Sequence, residues 1–172
     1  MIKIFIPGQP QGKGRARSRI VTNKATGHQF TAHHTPTKTR QYEDKIRSHA
    51  IGVMQNSKPL NCPISLELEM VFEVPKSWPK WKTALALSGQ IMPTVKPDSD
   101  NIEKAVMDGF NGVVWKDDCL VVHCNKVKIY GERAGIRAEI YQIKDKYSAT
   151  CKRSDIEGEG PQKSLIDSGG GS

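Results

Sequence analysis

The sequence predicts an α+β fold: a single compact domain in which a mixed β-sheet carries two main helices. Three observations predict it. Residues 64–74 alternate strictly between apolar and polar side chains, the period of a half-buried strand. Segments 39–55 and 100–111 instead repeat their apolar residues every three or four positions, the period of amphipathic helices. A chain of 172 residues is long enough for one real core but not for two independent ones.

In chain order, Ile2-Lys3-Ile4-Phe5-Ile6 is a short apolar strand that stops at the Pro- and Gly-rich stretch 7–12. From Lys13 to Arg19 the cations Lys13, Arg15, Arg17 and Arg19 alternate with small residues. An extended segment would put all four on one side, as an arm able to follow a phosphate backbone. Tyr42, Ile46, Ala50, Val53 and Met54 mark the stripe of the first helix, with Thr37 or Thr39 as its cap. Ile64, Leu66, Leu68, Met70, Phe72 and Val74 line one face of the clearest strand.

Residues 75–97, with four prolines, two tryptophans and four lysines, read as a basic functional loop with a short helix near Trp81–Leu87. In the second main helix Ile102, Ala105, Val106 and Phe110 share one face, while Asp100, Lys104, Asp108 and Asn111 fall in a narrow opposite arc. Gly112 suits the left-handed position after its end. A strand through Tyr130, a turn at 131–135 and a strand over 136–143 are expected to form a hairpin. The domain is expected over 1–144, followed by a disordered polar tail over 145–172.

The charge is unevenly placed. Of the Lys and Arg, eleven lie in residues 1–60 against two acids, whereas the remainder of the chain is close to neutral. A localised cationic surplus attracts polyanions, because each neutralised phosphate releases condensed counterions; solubility charge is the plainer reading. No apolar run reaches about 18 residues and no signal-peptide pattern is present, so a soluble cytoplasmic protein with no membrane partner is expected. Cys62, Cys119, Cys124 and Cys151 lack paired spacing and are expected to be reduced thiols.

Chemistry is concentrated in two acidic stretches, Asp98-Ser99-Asp100-Asn101 and Asp117-Asp118. Hard divalent cations such as Mg²⁺ take oxygen ligands, usually one or two carboxylates completed by water and substrate phosphate. Asp98 and Asp100 approaching a helix in extended backbone can face one pocket, and Asp118 can add a third carboxylate from the following strand. Such a cage could hold one or two metals for phosphodiester hydrolysis, with Lys104 one turn beyond Asp100 as a transition-state cation. Plainer readings stand beside these. Asp100-x-x-Glu103 matches a capping box, Lys104 and Asp108 match a solvated helix pair, and Asp117-Asp118 matches a turn.

The ordered pattern Asp98-x-Asp100-Asn101-x-x-Lys104-x-x-x-Asp108, then Asn111-Gly112, then Trp115-x-Asp117-Asp118, resembles the RusA family of Holliday-junction resolvases over about residues 1–143. Lys13-x-Arg15-x-Arg17 is similar to the basic arm of phage-type members, which often carry Pro where this chain has Ala16. The resemblance implies a homodimeric, Mg²⁺-dependent endodeoxyribonuclease, with Mn²⁺ as a possible substitute. It would bind four-way or otherwise branched DNA and resolve junctions by paired symmetric nicks in recombination and repair, in a bacterial or prophage setting. Matched by position, Asp98, Asp100 and Asp118 are metal ligands and Lys104 is the catalytic cation. Asn101, Asp108 and Asp117 are supporting groups, and Lys13, Arg15, Arg17 and Arg19 contact DNA. The competing hypotheses are a non-catalytic branched-DNA-binding protein and a nuclease of the same fold acting on flaps or forks.

Other signals are weaker. Gly8–Gly14 has the wrong spacing for a nucleotide-binding loop and lacks its Ser or Thr. Cys119, His123 and Cys124 do not share a strand face as zinc ligands would. His33-His34 falls in a polar loop, and Trp78 and Trp81 could either stack at a branch point or pack on the domain.

Overall fold

The computed structural model describes residues 1–22, 24 and 26–143; the tail expected over 145–172 lies outside them. Its main sheet contains β1 (Ile2–Pro7), β4 (Ile64–Glu73), β5 (Val121–Gly131) and β6 (Gly135–Gln142), in the order β1-β6-β4-β5. β4 and β5 are parallel and the other pairs antiparallel, so the sheet is mixed as expected. A separate antiparallel pair joins β2 (Arg17–Thr22) to β3 (Gln29–His34). The helices are α1 (Thr37–Met54), α2 (Lys80–Leu87) and α3 (Ser99–Phe110), and a single 3₁₀ turn spans Asp118–Leu120.

Strand register sorts the side chains into two faces. Ile4, Leu66, Leu68, Met70, Ile136, Ala138 and Ile140 point to the helix side and are buried. The other face is polar and laced across strands, by Lys3–Glu139 at 2.6 Å, Arg137–Glu69 at 3.0 Å and Asn125–Glu67 at 2.8 Å. A strand buried on one face only must alternate in this way, which is why β4 was legible. On the helix side α1 and α3 pack closely where Gly109 faces Ile46. A Cβ added to Gly109 would lie 2.5 Å from Ile46 Cγ2, so only glycine allows the approach.

Four expectations require correction. β5 and β6 are not hairpin partners, because β4 lies between them and the chain crosses its end at residues 132–134. The apolar strand takes the centre, and β5, carrying Lys126 and Lys128, takes an edge, where charge is tolerated and discourages further pairing. α1 begins after Pro36 with no side-chain cap, and Thr39 Oγ1 instead accepts from the Gly14 N–H. Val53 is 46% exposed, outside the buried stripe of Tyr42, Ile46, Ala50 and Met54. His33 and His34 belong to strand β3 and not to a loop, with Arg17 paired to His34 and Arg19 to Ala32 in backbone register.

Candidate metal and nucleic-acid site

α3 begins two residues earlier than a capping box at Asp100 would place it. Asp98 is the N-cap residue, in extended backbone with φ −68° and ψ 146°, and its side chain makes no capping hydrogen bond. Asp100 lies in the first turn, exposed, and Glu103 turns away to an ion pair with Lys126. The capping-box reading therefore fails, and the exposed Asp98 carboxylate keeps its acceptor capacity. Anionic groups there are favoured by the positive end of the helix dipole.

From Asp100 the polar edge of α3 continues through Lys104 and Asp108, spaced one turn apart while Ile102, Ala105, Val106, Gly109 and Phe110 are buried. Lys104 is exposed and enters no ion pair among the described residues. The expected Lys104–Asp108 pair does not form, because Asp108 is taken by Lys13 from the N-terminal loop. That loop lies on α3 through a second bond, Lys13 N–H to Asn101 C=O at 2.8 Å. Of the four arm cations, Lys13 is therefore turned toward α3. Arg15 lies exposed in the connection, and Arg17 and Arg19 belong to β2.

On the opposite flank β5 turns Lys126 and Lys128 toward the helix side, in register with Leu68 and Met70. Lys126 pairs with Glu103, and the charge of Asp100 also reaches it. Lys128 donates to the carbonyls of Val95 and Pro97, the latter at 3.3 Å, and lies over the Phe72 ring at 4.9 Å. It thereby ties down the backbone that presents Asp98.

The Asp117-Asp118 pair divides its roles. Asp117 caps the 3₁₀ turn by accepting the Cys119 N–H at 3.0 Å, and this bond holds its carboxyl below the usual range. Asp118 opens the turn, exposed, and its charge is felt at Lys13. Among the described residues no three His, Cys, Asp or Glu side chains converge as a ready metal cage. Three carboxylates repel one another without a cation between them, and Mg²⁺ needs only one or two from protein when phosphate and water complete its shell. By donor chemistry Asp98 and Asp100, exposed hard oxygens two residues apart at the start of α3, fit such an ion.

Glu43 was not anticipated from the sequence. It follows the buried Tyr42 on the flank of α1 that meets Gly109, and its Oε1 is buried with no hydrogen-bond partner among the described residues. Burial, then the nearby Asp108, pushes its carboxyl upward. The only hint was an acid directly beside a core tyrosine. The tryptophans also separate: Trp78 packs edge-on against Tyr130 at 5.3 Å with Lys82 over its ring, whereas Trp81 on α2 is 65% exposed. His123 meets Ser65 Oγ at 2.9 Å on the polar sheet face. Among the described residues no helix is long and apolar enough to cross a membrane.

The family profile described as Endodeoxyribonuclease RusA matches residues 7–141. The uncharacterized protein YqaN of Bacillus subtilis (strain 168) is 29% identical over 146 residues, covering 83% of this chain and 96% of its own length.

Proposed function

Because the chain belongs to the RusA endodeoxyribonuclease family, we propose that it is a Mg²⁺-dependent, structure-selective endonuclease that resolves four-way DNA junctions by paired symmetric nicks as a homodimer. The observation that carries this reading is the start of α3, where Asp98 and Asp100 stand exposed with no capping bond from Asp98, and Lys104, one turn beyond Asp100, enters no ion pair among the described residues. Asp98 and Asp100 would hold the divalent ion, with Asp118 as a third ligand drawn in when the ion offsets the repulsion among carboxylates. Bound there, Mg²⁺ supplies a more acidic water and neutralises charge on the phosphate.

The chain's own groups do the rest. Lys104 places a compact positive charge beside the scissile phosphate, where charge grows as the nucleophile enters. Lys128 fixes the carbonyls that precede Asp98, so that this carboxylate is held in place before substrate arrives. Arg15, Arg17 and Arg19 contact phosphates flanking the cut, which positions the duplex without reading its sequence. A two-fold enzyme suits an approximately two-fold substrate that needs two cuts.

The test is cleavage of a synthetic four-way junction with Mg²⁺, with EDTA, and with Mg²⁺ restored. Wild-type protein should nick symmetrically only with metal. Asp100→Asn should lose roughly 100-fold or more of the rate while keeping junction binding and its far-UV CD spectrum. Binding without metal-dependent cutting by the wild type would make the protein a branched-DNA binder instead.

A further inference from the structure

We propose that Gly12 and Lys13 form a strap that seats the basic arm on α3, with Lys13 acting as a positioning residue and not as a phosphate contact. The functional consequence rests on the reading of α3 given above; the strap itself does not. After β1 the chain is tied at Gly8, whose N–H donates to Ala134 C=O at 2.9 Å. Gly12 then passes so close to α3 that a Cβ would sit 2.9 Å from Pro97 Cβ and 3.1 Å from Asn101 Cβ. Lys13 bonds through its N–H to Asn101 and through its ammonium to Asp108, two turns apart on the same helix. Gly14 is tied to Thr39 of α1 at 3.0 Å. Three residues later β2 and its arginines begin.

Electrostatics favour the same assignment. The Lys13 ammonium faces Asp108, and the charges of Glu43 and Asp118 also reach it. A phosphate approaching that ammonium would meet three acids for one cation. If Lys13 left for DNA, Asp108 would lie uncompensated beside the half-buried Glu43. The cation is therefore held inward, and the strap sets the distance between the reacting edge of α3 and the arm arginines that grip flanking phosphates.

The test compares Lys13→Met, Asp108→Asn, the double variant and the charge exchange Lys13→Asp with Asp108→Lys, all in the full chain. Each single variant should weaken four-way-junction binding roughly two- to fivefold, with the salt slope unchanged. The double variant should be no worse than either, and the exchange should recover most of the loss. In cleavage the change should fall on KM and not on kcat. Amide exchange at Lys13 and Gly14, measured without DNA or metal, should speed up in both single variants. Gly12→Ala, which keeps every charge, should give the same exchange and the same weakening.

The strap is overturned if Lys13→Met lowers the salt slope by about one while Asp108→Asn tightens binding, the pattern of a phosphate contact. Unchanged amide exchange, or unchanged affinity in Gly12→Ala, overturns it as well. A wild-type chain with coupled variants and a protected strap that cuts no branched DNA would uphold the strap and remove the nuclease reading.

Discussion

Both flanks of α3 answer an acid on the helix with a lysine from elsewhere, but they deliver that lysine differently. On one side Lys126 and Lys128 arrive on β5, their positions fixed by register with β4, and the Lys126–Glu103 pair is 33% and 22% exposed. On the other side Lys13 arrives on a loop, and its pair with Asp108 is 40% and 37% exposed. The backbone of a lysine carried by a strand cannot shift without breaking the ladder, whereas the backbone of one carried by a loop is held only by its local bonds. The sheet flank therefore holds the start of α3, which under the proposed function would present the metal, and the loop flank would set where the arm meets DNA.

The largest expected effect tests the support beneath the loop flank. Gly109→Ala forces a methyl into Ile46 and should destabilise the fold by about 1–3 kcal/mol in urea denaturation. A neutral result would mean that α1 and α3 are free to separate. Next, Lys128→Met releases the Val95 and Pro97 carbonyls, and the Mg²⁺ concentration for half-maximal cleavage should rise about tenfold. Strap variants should leave that concentration unchanged; a matching rise in both would erase the distinction between the flanks.

Lys126→Met breaks a partly exposed pair and should cost under about 1 kcal/mol of stability without altering amide exchange at Lys13. The smallest effect concerns Glu43, whose carboxyl is raised in the fold. A raised acid favours the native state below its unfolded pKa, and that contribution is lost as pH rises through the folded value. Glu43→Gln should therefore raise Tm by roughly 1–3 °C near pH 7 and change it little at pH 4. The opposite pH trend would show that Glu43 is paired and ionised in solution.

Much of the framework was legible because it rests on local periodicity. The alternation in β4 and the stripe of α3 each require only neighbouring residues to face one core, and both appear where expected. Gly112, with φ +74°, follows the C-cap residue Asn111 as anticipated. The β2–β3 pair was missed because polar residues such as His33 and Thr31 carry no alternating signal. The β5–β6 expectation failed because a short connection usually means antiparallel neighbours, and here a more apolar strand took the place between them.

The acidic pattern, the front-loaded cations and the faces of α3 were fixed by residue order alone, since spacing along a regular element decides which side chains share a side. The tertiary structure decided how the charges were spent. It left Asp98 uncapped, gave Asp108 to Lys13 and Glu103 to Lys126, and used Asp117 in a turn while Asp118 stayed exposed. Those choices join residues as many as 95 positions apart, and a bond of that kind depends on how separate elements pack, which no local pattern encodes.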